Sequence, residues 1–419
     1  MKTKLIQIIY DMRTQPVIAW VTVIGTALSI FLIMTVVMMQ QVGIMSFAPE
    51  SHRDRMLYGM FLHKQSLENE NDNRSAGLSY ESAKKLYGEL DGVEEISYQY
   101  TDLDRYDAKG TTGGKFTVDT RQTDDGFWRV FDHKLLDGRY YDADEVAAKR
   151  RVAVLSEATA RKLFGGENAV GQHFELDHND YEVIGVVANS SILASMAYGE
   201  VFVPADYDKE WTTGMGPFMA AMLIKEGVKF DDIRRQVKTR YAEYDSEIKS
   251  EGMKTVYHES PFDQEVINTG HRGSNITPDT SSSRMMRYII YAILLIVPAI
   301  NLSSMLHSRL RRRVSEIGVR RAFGCTRARI ITDIIAENLV VTVVGGMIGF
   351  ALGIVFAQCY DGLYTDPTGT VARPALSMLL NWRIIGIAFG SCFILNIISA
   401  AVPAWQAGRL NPVEAINAK

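Results

Sequence analysis

Residues 309–329 read RLRRRVSEIGVRRAFGCTRAR, lie between two long apolar runs, and decide how the rest of the chain is read. From His307 to Glu337 there are eight arginines against three acids, Glu316, Asp333 and Glu337. A loop this basic between apolar segments stays on the cytoplasmic side of a membrane. Topology explains the run Arg311–Arg313 as well as any specific contact does, but it does not explain the ordered string SEIGVRRAFGCTR. There Glu316 precedes Arg320 by four residues, the favourable direction for a helical ion pair. Ile317 and Phe323 supply apolar contacts, and Gly318 and Gly324 allow close approach or chain reversal.

Working outward, the flanking runs predict an integral membrane α-helical protein with four transmembrane helices. A large α+β extracytoplasmic domain lies between the first and second spans. Residues 1–16 place Leu5, Ile8, Ile9 and Met12 at helical spacing among Lys2, Lys4 and Arg13. That suits an amphipathic helix on the inner membrane surface, with an unstructured leader as the alternative. Residues 17–41 form the first span, uncharged from Val17 to Met39. The run is longer than a signal-peptide core of about 7–15 residues, so a retained anchor is expected. The further divisions are 42–284 (outer domain), 285–306 (second span), 307–337 (cytoplasmic loop) and 338–360 (third span). A short outer loop, 361–383, a fourth span, 384–403, and a cytoplasmic tail, 404–419, complete the chain. Pro298 removes a backbone hydrogen bond from the second span and should kink it. Asn301 follows one turn later. Ordinary packing accounts for both as well as a transport role does. Gly345, Gly349 and Gly353 recur every four residues, a stripe that lets helix backbones meet.

Within the outer domain a helix is expected over 53–64, continuing the first span outward. A second is capped at Ser79, shows an apolar face of Ala83, Leu86 and Leu90, ends near Gly92 and is followed by a strand. Strands are expected at 115–119, 151–155, 181–187 and 200–204, and a short helix over 157–164.

Several classes are excluded. A net charge of −4 does not suggest nucleic-acid binding. The three cysteines, Cys325, Cys359 and Cys392, all fall in the membrane half, so the outer domain has no internal disulfide. An ATPase needs G-x-x-x-x-G-K-[ST] to wrap phosphates. The nearest string, KGTTGGKF at 109–116, has Lys109 in place of the first glycine and Phe116 in place of the hydroxyl, and reads as a turn. The spans hold no acidic residue for an ion path. No catalytic constellation is visible, and His173 and His178 lack a metal-site pattern, so neither catalytic nor metal-binding residues are assigned. Tyr80, Tyr87, Tyr98, Tyr100 and Tyr106 read as core and interface residues.

The string SEIGVRRAFGCTRARI at 315–330 resembles the loop after the second span in permeases of the MacB/FtsX class of ABC transporters. The likeness extends to the tail PAWQAGRLNPVEAINAK, and VPAINLSSM at 297–305 resembles members from the Bacteroidetes. In the outer domain GFWRVFDHKLLDGRYY, RVAVLSEATARKLFGGENAVGQHFEL and YEVIGVVAN resemble the MacB-like periplasmic core domain, in the expected order. The resemblance implies that the loop docks on a cytoplasmic ABC ATPase subunit. Glu316, Ile317, Gly318, Arg320, Arg321, Phe323 and Gly324 are its docking residues. ATP and Mg²⁺ would be held by that partner and no cofactor by this chain. The resemblance further implies a bacterial inner-membrane protein with both termini cytoplasmic and the large domain periplasmic. It would form a homodimer or a heterodimer with a related permease, surrounded by lipid, and a periplasmic adaptor and outer-membrane channel serve exporting members. The implied function is mechanotransmission for export or extraction. The alternative is an FtsX-like regulator that controls a periplasmic partner without transport.

Overall fold

The computed structural model describes residues 16–69, 71–165, 168–268, 280–359 and 382–409. The 1–16 amphipathic helix, the 361–383 loop and the helix restart at Asn411 and Pro412 lie outside the described residues, wholly or nearly so. The chain divides into two units, one of residues 1–41, 281–360 and 374–419, the other of residues 42–280 and 361–373. Its first described helix, α1, spans Pro16–Ile44.

The outer unit begins with a correction. Over 53–64 there is no helix, only a 3-10 turn at Arg53–Arg55 followed by β1 (Met56–Gly59) and β2 (Leu62–Ser66). Met56, Leu57 and Tyr58 are consecutive and all fully buried, which a strand covered on both faces allows. Next come β3 (Asn73–Ala76) and α2 (Tyr80–Tyr87), whose N-cap is Ser79 as the sequence predicts. This helix stops at Gly88 rather than Gly92, and β4 (Val93–Tyr100) follows. β1, β12 (Phe218–Ile224) and β4 form an antiparallel sheet in the order β1-β12-β4. A long helix, Phe230–Ile248, packs Ile233, Val237 and Tyr241 into the same core as Leu57, Tyr87 and Phe218. β13 (Met253–Thr255), β2 and β3 make a small third layer.

The remaining strands form a different object. They are β5 (Asp104–Lys109), β6 (Lys115–Thr123), β7 (Leu135–Gly138), β8 (Val152–Ser156), β9 (His173–Leu176), β10 (Asn179–Val187) and β11 (Val201–Pro204). Their order is β7-β10-β8-β11-β6-β5-β9, and β9 also pairs with β10. That extra pairing closes six strands into a barrel and leaves β7 on its flank. Alternate positions such as Ala108, Val118, Leu155, Phe174, Val183 and Val201 fill the interior. The short helices are α3 (Phe127–Val130), α4 (Ala143–Ala147) and α5 (Glu157–Phe164). α5 starts directly after β8 and sends Leu163 and Phe164 into the barrel core. It ends on Gly165 at φ +68°, the left-handed cap that only glycine adopts without strain. With the long helix 230–248 numbered α6, α7 (Gln264–Asn268) closes the unit.

The helical unit contains α1, α8 (Thr280–Arg312), α9 (Val314–Ala322), α10 (Arg327–Cys359) and α11 (Trp382–Gly408). Among the described residues two segments are long and apolar enough to cross a membrane, α10 and Ile385–Gly408 of α11, while α1 carries a shorter apolar run, Val23–Met38. These helices expose large apolar side chains, and small and polar residues are buried among the apolar ones inside. Leu28, Leu32, Ile293, Ile300, Met347, Val355, Phe389 and Phe393 are exposed, whereas Thr26, Ser29, Asn338, Thr342 and Ser399 are buried. Such an arrangement needs lipid as its solvent. α8 is continuous through residue 298, and the side chains of Pro298 and Asn301 lie outside the described residues. α11 carries Pro403 inside it and continues to Gly408, with Ala400, Ala404 and Ala407 in one apolar cluster with Ile317 and Ile330.

Candidate functional site

The basic loop is almost wholly helical. α9 is a nine-residue helix between the ends of α8 and α10. It ends in a reversal built on Gly324, at φ +88°. The Gly324 N–H donates to the Arg321 carbonyl at 3.0 Å and the Cys325 N–H to the Arg320 carbonyl at 3.0 Å. Those two bonds satisfy carbonyls that the end of a helix would leave bare. Thr326 then caps α10, its hydroxyl accepting from the Arg329 N–H at 3.4 Å.

The two faces of α9 differ. Inward, Ile317 and Gly318 are buried, and Ile317 packs with Leu306 and Leu310 of α8, Ile330 and Ile334 of α10, and Ala404 of α11. Outward, Phe323 is 90% exposed. The charged residues brace the helix. The Arg313 Nε donates to Glu316 at 2.9 Å, and the Arg313 Nη1 donates to both oxygens of Glu337 at 3.0 and 3.1 Å. Arg320 donates to Glu316 at 2.6 Å, the spacing noted in the sequence. Arg321 donates to the Gly408 carbonyl at 2.9 Å, tying α9 to the end of α11. Arg313 and Arg320 hold the Glu316 carboxyl below the ordinary carboxylate range, with the Arg313 hydrogen bond the largest cause.

Behind the loop, α10 sits between two partners. Gly345, Gly349 and Gly353 face α1, where a Cβ on each would meet Thr26, Ala27 and Met34 respectively. A Cβ on Gly346 would meet the Cys392 Sγ of α11 at 2.3 Å. Buried Asn338 donates to Asn396 at 2.7 Å and to Ser399 at 3.4 Å, and Asn396 donates to the Ile335 carbonyl at 3.4 Å. The sequence gives no signal for the Asn338–Asn396 pair or the Arg313–Glu337 bridge. Each joins positions on different helices, and only three-dimensional register brings them together.

A second buried cluster in the outer unit is equally silent in the sequence. Arg53 donates to Glu50 at 2.6 Å with both side chains fully buried. Glu50 also accepts from the Met196 and Ala197 N–H groups at 2.8 and 3.0 Å, and Arg53 reaches the Leu193 carbonyl. Arg121 donates to the carbonyls of Tyr198 and Ser195, and Gln99 to that of Met196. The irregular segment 193–198 is thereby held by side chains from several elements. Among the described residues no group of His, Cys, Asp and Glu is placed to hold a metal ion.

A helical unit with exposed apolar faces and a basic loop, together with a large α+β unit, has the make-up of a membrane protein with an extramembrane domain. The comparisons with known proteins agree. The MacB-like periplasmic core domain family matches residues 19–240, and the FtsX-like permease C-terminal family matches residues 288–412. The chain belongs to the MacB/FtsX class of ABC transporter permeases. It is 25% identical over 294 residues to the ABC transporter permease YknZ of Bacillus subtilis, covering 70% of this chain and 68% of YknZ. It is 22% identical over 361 residues to the macrolide export ATP-binding/permease protein MacB of Bdellovibrio bacteriovorus, covering 82% of this chain and 51% of that protein. The pyoverdine export ATP-binding/permease protein PvdT of Pseudomonas putida is 25% identical over 70% of this chain and 42% of its own length. The chain thus spans about half or less of the ATP-binding/permease relatives, and both family matches are to permease domains. Among solved structures, the periplasmic region of MacB from Actinobacillus actinomycetemcomitans shares 15% identity at a TM-score of 0.36, over 52% of this chain and 92% of that one. The extracellular domain of YknZ shares 19% identity at a TM-score of 0.36, over 48% of this chain and all of that one.

Proposed function

We propose that this chain is the permease subunit of an ABC-type system whose ATP hydrolysis occurs in a separate cytoplasmic subunit. In this reading α9 is the coupling helix, and ATP-driven movement of the partner passes through the spans to the outer unit, for export or extraction of a substrate. One observation carries it. Phe323 stands exposed at the end of a helix whose opposite face is locked to its own unit by Ile317, Arg313 and Arg321. A braced helix that offers apolar side chains to water, Phe323 foremost and Val319 beside it, is built to seat in a groove and to transmit displacement. In this reading α1, α8, α10 and α11 are the four spans, the loop and both termini lie on the cytoplasmic side of the inner membrane, and the 42–280 unit lies in the periplasm; the long apolar helices α10 and α11 support it. The exposed apolar faces of these helices accommodate lipid and a second permease copy. The size of the outer unit favours export or extraction over regulation without transport.

The test follows from the division of roles. Arg321 is bonded within its own unit, so its reversal would disturb the loop as well as any docking. Phe323 is free of packing, and Phe323→Asp should leave the melting temperature of the purified protein unchanged. It should also abolish co-purification of a P-loop ATPase from the native membrane. Undiminished recovery of a stoichiometric ATPase with this variant would overturn the docking assignment.

A further inference from the structure

The barrel of the outer unit is plugged at one end and open at the other. α5 follows the C-terminal end of β8, so Leu163 and Phe164 close the end opposite Arg151, which precedes β8. At the Arg151 end lies a cavity of about 340 Å³ lined by residues from all six barrel strands or their ends, Tyr106, Gln122, Arg151, Leu176, Tyr181 and Val203 among them. The volume is within the range of small-molecule pockets, which recur in the mouths of β-barrels.

The two-residue period of a strand shows what faces this mouth. Ala153, Val183 and Ala108 are barrel core, so Arg151, Tyr181 and Tyr106, each two residues earlier, stand over the core on the same face. Thr120 pairs in parallel register with Val201, another core residue, and therefore also faces inward. It is fully buried, and its hydroxyl has no hydrogen-bond partner in the protein. Thr120 is not among the residues that line the cavity, so this hydroxyl belongs to the barrel core and not to the site.

Most rim charges are already committed. Lys149 pairs with Asp206 at 2.5 Å and Asp208 at 2.7 Å, and Arg150 with Glu145 at 3.5 Å. Asp104 accepts from Gln122 at 2.8 Å. Two lining charges remain without an ion pair among the described residues, the guanidinium of Arg151 and the carboxylate of Asp177. Both act on the phenol of Tyr181. Burial raises its pKa first, Arg151 opposes the rise and Asp177 adds to it; Arg151, Asp177 and Tyr181 line the same cavity.

We propose that this mouth is a binding site for a small zwitterion of amino-acid or dipeptide size. Its carboxylate pairs with Arg151, its ammonium with Asp177, and its body lies against Tyr106 and Tyr181. The site is independent of the coupling assignment, because binding to the isolated full chain needs no ATPase.

The test is isothermal titration of the full-length chain in detergent with L-alanyl-L-alanine, its N-acetyl form and its C-terminal amide. The dipeptide should bind, and each capped form should bind about tenfold or more weaker, as removal of one charged hydrogen bond requires. Arg151→Gln should weaken the dipeptide by a similar factor while leaving the amide unchanged, since the amide has no carboxylate for Arg151 to hold. Absence of dipeptide binding at millimolar concentration, or equal binding of all three forms, would overturn the proposal. The capped series reads this in the wild-type protein, whatever the variant does to folding.

Discussion

Gly349 of α10 lies so close to α1 that a Cβ on it would come within 2.3 Å of the Ala27 carbonyl oxygen. The neighbour is backbone, which cannot rotate away, and the Phe31 N is only 3.0 Å from the same point. Gly349→Ala should therefore separate the two helices and lower stability by about 1–3 kcal/mol, the usual range for overpacking. Gly386→Ala is the control, since nothing lies within 4 Å of its added carbon. Thermal unfolding in detergent should show a clear fall for the first variant and none for the second.

The buried amide pair beside it makes a different prediction. Asn338 donates to Asn396 at 2.7 Å between α10 and α11, and both residues are buried. Asn396→Ala leaves the Asn338 amide without that acceptor and frees the Ile335 carbonyl of its side-chain donor. A loss of about 1–2 kcal/mol is expected, limited by the residual bond from Asn338 to Ser399. The double variant Asn338→Leu with Asn396→Leu should recover part of that loss, because both polar groups then leave together. A double variant less stable than Asn396→Ala would show that the pair does more than satisfy itself.

At the cytoplasmic loop, Gly324→Ala should loosen the reversal after α9 without any clash. Its φ is +88° and no atom lies within 4 Å of an added Cβ, so the whole effect is backbone strain of about 1 kcal/mol. The measurement is limited trypsin digestion, because Arg320, Arg321 and Arg327 flank the turn. Faster cleavage there than in wild type is expected, while cleavage within the outer unit stays unchanged. Identical digestion rates would mean that packing around Ile317, rather than the turn, holds the loop.

How much of this was legible beforehand follows the range of the interactions. Ser79, Gly165 and the Glu316–Arg320 pair act over a few residues, and each can be read from its local string. Over 53–64 the sequence suggests a helix, but the consecutive apolar residues Met56, Leu57 and Tyr58 fit a buried strand equally well. Only pairing with β12 and β3 settles it as strand. Closure of the barrel depends on β9 pairing with both β5 and β10, a long-range register that no period in the sequence encodes. In the loop, the residues were visible but their directions were not. Ile317 and Phe323 read alike as apolar contacts, yet one is buried in its own unit and the other is 90% exposed.

Asp124 gives a prediction with a definite sign. It is buried and accepts from the Ser97 hydroxyl at 2.7 Å, the Tyr98 N–H at 2.8 Å and the Phe127 N–H at 3.0 Å. Burial pushes its carboxyl up to about 7, outweighing the opposite pull of those donors. The unfolded chain would release this proton near pH 4, so between about pH 4 and 7 the folded state holds a proton that the unfolded state has lost. A raised folded value contributes stability fully below the unfolded pKa, and that contribution disappears as pH rises through about 7. The difference in stability between wild type and Asp124→Asn should therefore be greatest in mild acid, fall as pH rises to about 7 and level off above it. His133, whose pKa burial lowers to about 3, does not titrate in this window. The variant should also be weaker throughout by about 1–2 kcal/mol, because an amide nitrogen replaces one acceptor facing three donors. Thermal melts of both proteins from pH 5 to about 8.5 test this. Parallel curves across the range would show that Asp124 stays ionised in the folded protein, held by its three donors.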